Sequence, residues 1–111
     1  MNIQFTSEAL QKLQPYIDDK DTLMKLVYDA DGCGCAVSGV PALWVLNKQQ
    51  VKEEVRNASH EPLQIVYEPR HEVFFEDRLK LDYHSDKRAF KLSSDGQIYT
   101  TDLAIVDKRG E

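Results

Sequence analysis

Apolar residues in this chain occur only in short runs, and this pattern most limits the folds open to it. The longest run covers residues 42–46, which is the length of a buried β-strand. A helix that crosses a bilayer needs ~18–20 apolar residues, so the sequence predicts no membrane span and no membrane partner. Further apolar runs, separated by polar and turn-forming residues, predict strands at 23–28, 63–67, 79–83, 89–92 and 103–106.

Two of these predicted strands alternate apolar with polar residues, which is typical of a strand with one face in water. They are residues 79–83 and 89–92, and the polar segment 84–88 between them predicts a hairpin turn. The Asp-Gly pair at 95–96 predicts another turn. These three features together predict consecutive antiparallel strands in the C-terminal half.

One helix is predicted near the N-terminus. Thr6 or Ser7 can cap it, and Glu8 lies favourably near the positive end of the helix dipole. Pro15 predicts that the helix kinks or ends close to that residue. The apolar residues at helical spacing, which would form the buried stripe, are Leu10, Leu13 and Ile17. The sequence therefore predicts an α+β fold that is mostly β, with one N-terminal helix.

Residues 47–61 fit two local structures equally well. Val51 and Val55 lie four residues apart, as on one face of a helix, but residues 56–59 do not continue that stripe. A short strand at the edge of a sheet fits the segment as well. Residues 73–75 form an apolar run too short to assign.

The length and charge of the chain exclude several classes of protein. With 111 residues it has the size of one domain, and 41% hydrophobic residues suffice for an ordinary core. A net charge of −5 argues against binding the phosphate backbone of nucleic acids, which requires a basic face. The N-terminus lacks the charged head and apolar stretch of a secretory signal, so we expect a cytoplasmic protein.

The two cysteines, Cys33 and Cys35, form the one candidate site of chemistry. A disulfide between them would close a short, strained ring, so a reducing cytoplasm favours a metal or redox site over a crosslink. Thiolates bind iron, zinc and Fe–S clusters. Gly32, Gly34 and Gly39 would let the backbone approach a bound centre and direct N–H groups at it. The alternative is that both cysteines only pack a tight loop.

No other group of residues predicts catalysis. Two thiolates do not complete a metal site, and the histidines that could add ligands have no metal-binding spacing and are interpreted as surface or hairpin residues. Asp82 is interpreted as an outward strand residue rather than a general base. Because acid, base and nucleophile partners are missing, we expect no enzymatic activity. The histidines are His60, His71 and His84, and the aromatic residues assigned to the core are Trp44, Phe74 and Phe75.

The order of these segments resembles the HesB-like family, the A-type iron–sulfur cluster carriers. The likeness extends over nearly the whole chain. The Gly32-Cys33 pair lies where the family has a Gly-Cys pair in a loop rich in serine and glycine. The other matching segments are the opening strand and capped helix at 3–9, then the strands and short motifs at 23–28, 44–46, 65–67, 74–77 and 81–83.

This resemblance implies a single HesB-like domain over residues 1–107, a strand-rich sandwich or barrel with one N-terminal helix, followed by a frayed tail at 108–111. Typical carriers also have a Cys-Gly-Cys motif in the C-terminal tail, and combine it with the first cysteine to hold iron or a cluster across a dimer. Residues 102–111 of this chain contain no cysteine. Cys33 alone therefore takes the family's ligand role by position, and Cys35 is added on its own chemistry.

Two functions of different classes follow. In the first, the protein binds iron or a [2Fe–2S] cluster and acts in cluster assembly or delivery, with an Fe–S scaffold or client apoproteins as partners. Two Cys-x-Cys loops meeting in a homodimer would supply four thiolates. In the second, the protein is a structural or interaction module without cluster carriage, and its thiols pack, bind zinc or respond to oxidation.

Overall fold

The computed structural model describes residues 1–29, 40–52, 54–60 and 63–109. Two short 3₁₀ helices cover Lys48–Gln50 and Pro69–Phe74. The predicted fold class, α+β and mostly β, is confirmed. In chain order the main elements are β1 Asn2–Phe5, α1 Ser7–Ile17, β2 Thr22–Asp29, β3 Val40–Asn47, β4 Arg56–Ser59, β5 Ile65–Tyr67, β6 Arg78–His84, β7 Ala89–Ser94 and β8 Ile98–Asp107.

The strands of the described residues form one sheet in the order β1-β6-β7-β8-β3-β2-β5-β4. The pairs β1–β6, β2–β5 and β3–β8 are parallel, and the other neighbours are antiparallel. The first and last strands of this order, β1 and β4, contact each other. The sheet therefore curls into a nearly closed, barrel-like layer, which agrees with the sandwich or barrel that the family resemblance implies.

The β6–β7 hairpin lies where the alternating pattern predicts it. Its ladder runs from Leu79 opposite Ser94 to His84 opposite Ala89. The Lys87 amide donates to the His84 carbonyl at 3.2 Å and closes the turn. Arg88 adopts a φ of 52°, which is the left-handed region that residues with a Cβ atom rarely adopt. The turn therefore places one unfavourable backbone angle at its last residue.

Helix α1 packs against β6 and β2 and is capped by Thr6, whose hydroxyl accepts from the Ala9 amide at 3.3 Å. Ala9 and Leu13 are fully buried. Ile17 is only partly buried against the core, so the buried face is narrower than the predicted stripe. The helix ends at Ile17, two residues past Pro15, so the prediction that it ends close to the proline is confirmed.

Strands β2, β3 and β5 bury both faces. Met24, Val45 and Ile65 belong to the main core inside the curled sheet. Their neighbours along the strands point outward, since alternate residues of a strand face opposite ways. These neighbours form a second cluster of Leu23, Leu46 and Val66, against which Trp44, Val51 and Val55 pack.

This outer cluster decides between the two structures open for residues 47–61. The segment crosses the outer face of the sheet, so Val51 and Val55 can pack there without an α-helix. It then adds β4 as the last strand in the order. Of the two structures left open, the short strand at a sheet edge is the one present.

Two residues after β8 hold the end of the described chain in place. The Lys108 amide donates to the Val45 carbonyl at 2.9 Å. Arg109 pairs with Asp107 at 2.7 Å and with Asp19 at 3.4 Å. The fraying of residues 108–111 stays a prediction for the end of the chain.

Candidate functional site

The segment that carries both cysteines joins β2 to β3. These strands form a regular antiparallel ladder from Thr22 opposite Asn47 to Asp29 opposite Val40. The predicted site residues Gly32, Cys33, Gly34, Cys35 and Gly39 all lie outside the described residues. Asp29 and Val40, the described residues on either side of the segment, are therefore paired neighbours. The assignment of the five site residues stays a prediction.

An aromatic cluster lies beside the end of β2. The ring of Tyr28, the last residue but one of the strand, stacks on Phe74 with centroids 4.1 Å apart and planes 10° apart. Tyr28 also meets Phe75 edge to face at 6.0 Å, and Phe75 contacts Tyr99 at 5.3 Å. Such pairs add to the stabilisation from burial and limit the rotamers of the rings. Tyr28, the residue before the end of β2, is therefore firmly packed.

The second 3₁₀ helix, Pro69–Phe74, presents apolar side chains to solvent on the same side of the molecule. Val73 is 81% exposed and Phe74 42% exposed, although Phe75 is buried. The interpretation of Phe74 as a core residue is therefore wrong: its ring covers Tyr28 and is itself half open. Residues 73–75 lie at the end of this 3₁₀ helix, which is too short to give a periodic pattern in the sequence.

His71 is the histidine whose environment departs most from expectation. It is 7% exposed, so its interpretation as a surface or hairpin residue is wrong. Its Nδ1 atom is buried and has no hydrogen-bond partner among the described residues. Burial lowers the pKa of the imidazole below its usual 6.5, and the Arg70 cation acts in the same direction. Burial therefore favours the neutral form of the ring.

The other two histidines are not brought together with His71 into a metal site. His60 is exposed, and His84 lies in the β6–β7 hairpin with Nε2 3.6 Å from Asp82 Oδ2. Within residues 1–29, 40–52, 54–60 and 63–109, no three His, Cys, Asp or Glu side chains form a group that could hold a metal ion.

The carboxylate of Asp82 is held by hydrogen bonds within the fold. Its Oδ1 accepts hydrogen bonds from the Thr6 hydroxyl at 2.7 Å and from the Tyr83 amide at 2.8 Å. The Thr6 bond is the main reason that the pKa of this carboxyl lies below its usual 3.8. A carboxylate held ionised in this way is a poor general base near neutral pH.

Sequence reasoning missed a charged cleft on the outer face of the sheet. Lys25 interrupts the apolar strand 23–28, and its side chain is only 8% exposed, with Nζ 3.2 Å from Glu68 Oε2. Trp44, assigned to the core from sequence, is only partly buried and lies under two lysine ammonium groups. The available signal was the single charge inside an apolar strand, since buried lysines are rare without a partner.

Comparison with known proteins gives a consistent family and fold. The iron-sulphur cluster biosynthesis family matches residues 1–107. The uncharacterized protein YqkB of Bacillus subtilis (strain 168) is 35% identical over 109 residues, which cover 97% of this chain and 100% of that protein. Among the described residues, no helix is long and apolar enough to cross a membrane.

Two solved structures share the fold. A proposed Fe–S biosynthesis protein from Lactobacillus salivarius superposes with a TM-score of 0.84 at 19% identity, covering 98% of this chain and 99% of that one. A second, from Lactobacillus acidophilus, gives a TM-score of 0.70 at 22% identity, covering 96% of this chain and 90% of the other. At these identities the likeness establishes the fold alone.

Proposed function

Because the chain belongs to the iron-sulphur cluster biosynthesis family and so has a role in that process, we propose that it binds iron or a [2Fe–2S] cluster as cargo and delivers it in the cytoplasm. The HesB-like resemblance noted from the sequence is confirmed by this family match. The observation that supports carriage is the position of the cysteine segment, which joins two paired strands at one end of the family's fold. The proposal assigns no catalytic turnover to the protein.

Cys33 and Cys35 supply the thiolate ligands in this proposal. The N–H groups around Gly32, Gly34 and Gly39 would stabilise the negative sulfur atoms of the cargo, as outer hydrogen bonds do in other Fe–S sites. His71 is not assigned as a ligand, because nothing in the described residues gathers other donors around it.

A homodimer completes the ligand set. A [2Fe–2S] cluster takes four cysteine thiolates, and each chain has two cysteines. A two-fold axis would bring the same segment of two chains together. The exposed apolar residues Val73 and Phe74, on the same side of the molecule as the ends of β2 and β3, would then face a partner: the second copy, an Fe–S scaffold or a client apoprotein.

Anaerobic reconstitution with iron and sulfide tests the proposal. The wild type should develop charge-transfer absorption at ~400–600 nm and contain iron and sulfide, as expected of cysteine-ligated clusters. The Cys33→Ser/Cys35→Ser variant should remain colourless, while His60→Ala, at an exposed histidine, should match the wild type. Elution at twice the monomer mass on loading would support the shared ligand set.

The alternative function, a structural or interaction module without cluster carriage, predicts different results. A wild type that stays colourless and free of iron would contradict carriage. Zinc in elemental analysis, lost in the double cysteine variant, would assign the thiols to zinc. Binding of a partner that survives the double substitution would identify an interaction module.

A further inference from the structure

The outer face of the sheet holds an open cleft of about 830 Å³, formed where β8, β3, β2 and the end of β5 lie side by side. It lies on the outer surface, whereas the cysteine segment joins the ends of β2 and β3. The lining side chains that matter to its chemistry are Lys25, Trp44, Lys52, Glu68, Arg70 and Lys108.

Strand register places the centre of the cleft on one face. Trp44 is the direct cross-strand partner of Lys25 in the antiparallel β2–β3 pair. Lys25 is opposite Val66 of β5, and Trp44 is opposite Val106 of β8. Paired residues in adjacent strands point the same way. Lys25 and Trp44 therefore lie side by side in the floor of the cleft.

Cations flank this indole. Lys108 Nζ lies 4.3 Å from the centroid of the Trp44 ring, and Lys25 Nζ lies 5.8 Å away. Attraction between an ammonium group and an aromatic face helps to hold both lysines over the ring. The floor thus has an apolar centre with positive charge above it.

The cleft is positive although the protein is acidic. Its described lining residues include four cations and one carboxylate, Glu68, on a chain whose net charge is −5. Glu68 already contacts two of the cations: Lys25 at 3.2 Å and Arg70 at 3.2 Å. Lys25 is itself more than nine-tenths buried, so its charge is a fixed part of the cleft. This concentration of one sign of charge favours an anionic ligand.

We propose that the cleft binds an acidic peptide segment of a partner protein, with its carboxylates on the cations that surround Trp44. The cleft is open and has a volume of about 830 Å³, which is much more than a single phosphate needs. Its lining combines cations with the apolar surface of Trp44, which suits a segment that alternates carboxylates with apolar side chains.

Trp44 is the sole tryptophan of the chain, so its fluorescence reports directly on the cleft. The probe is a short peptide that alternates glutamate with apolar residues, and the control is the same peptide with glutamine in place of glutamate. The glutamate peptide should change the Trp44 emission, and its affinity should fall as salt is raised. The glutamine peptide should bind at least about fivefold more weakly.

Charge reversal locates the binding. Lys108→Glu should weaken binding of the glutamate peptide by about fivefold or more. Lys52→Glu should have the same effect, and because Lys52 is exposed, this variant keeps the test valid if Lys108→Glu disturbs the packing on Trp44. Lys87→Glu, an exposed residue of the β6–β7 turn, is the matched control and should leave binding unchanged. Cys33→Ser/Cys35→Ser should also bind the peptide normally, which separates this proposal from cluster carriage.

Three results would overturn the inference. One is equal binding of both peptides, and another is binding that neither cleft substitution weakens. The third is tighter binding of a mononucleotide or of a short single-stranded oligonucleotide than of the glutamate peptide, since that would assign the cleft to a different class of ligand.

Discussion

The Thr6 hydroxyl donates a 2.7 Å hydrogen bond to Asp82 Oδ1 while it also accepts from the Ala9 amide, so one side chain caps helix α1 and joins it to β6. These residues lie 76 positions apart in the chain. The bond links the first turn of the helix to the strand on which the helix packs.

Replacing Thr6 with Val should destabilise the fold by about 1–2 kcal/mol, because the substitution removes the cap and leaves the Ala9 amide without its acceptor. Urea unfolding measures this free energy. Thr6→Ser is the matched control, since it retains the hydroxyl, and it should recover most of the loss. An equal loss in both variants would show that the methyl group, rather than the hydrogen bonds, matters.

Ionisation of Asp82 should make the stability of the fold depend on pH in the acidic range. Its pKa in the folded state lies below the usual 3.8, chiefly because Thr6 donates to the carboxylate. The ionised group therefore stabilises the fold above pH ~4, and this contribution is lost as the pH falls through the folded pKa. The difference in unfolding free energy between wild type and Asp82→Asn should shrink between pH 6 and pH 2.5. A constant difference would contradict the assignment.

Glu68→Gln should destabilise the protein more than Lys25→Met does. The first change removes the carboxylate from beside a lysine that is 8% exposed, at a cost of about 1–3 kcal/mol. The second removes the buried charge itself and replaces it with an apolar side chain of similar length. A double-mutant cycle by chemical denaturation gives the coupling energy. A larger loss in Lys25→Met would mean that the lysine contributes mainly through other contacts.

His71 should make the protein less stable in mild acid. Its folded-state pKa is lowered, mainly by burial, so the unfolded chain takes up a proton more readily. Stability is then lost as the pH falls below 6.5. Thermal unfolding at pH 7.5 and pH 5.5 should show a smaller decrease for His71→Gln than for wild type. The exposed His60→Gln serves as control and should keep the wild-type decrease.

Arg88→Asn should stabilise the β6–β7 turn. Arg88 has a φ of 52°, and asparagine adopts the left-handed region at lower cost. We expect a gain of about 0.5–1 kcal/mol, which raises Tm by about 3–6 °C. Lys87→Asn, at the neighbouring turn residue, should not raise Tm. If both variants behave alike, the gain does not come from the backbone angle.

The sequence predicted well what local pattern controls. The Thr6 cap specified helix α1, and alternation along 79–83 and 89–92 specified the β6–β7 hairpin. The run at 42–46 gave β3 because an apolar run of that length fits a strand buried on both faces. Each of these signals lies within a few consecutive residues.

Features that depend on closure of the sheet cannot be predicted from local sequence patterns. Whether Trp44 or Phe74 is covered depends on strands and turns far away in the chain. Phe74 is exposed rather than part of the core, and Trp44 is only partly buried against the second cluster. The burial of His71 follows from the way its 3₁₀ helix packs near β2. In the candidate site, the sequence names the cysteines, and the structure adds what surrounds the ends of their segment.

The curled sheet also affects how the protein can associate. Its two outermost strands, β1 and β4, have four residues each and lie against one another. Long unpaired strand edges can form backbone hydrogen bonds with a strand of a second chain, which leads to aggregation or domain swapping. Short edges that face each other discourage that route. Encounters with other proteins are then left to side-chain surfaces, which can separate again.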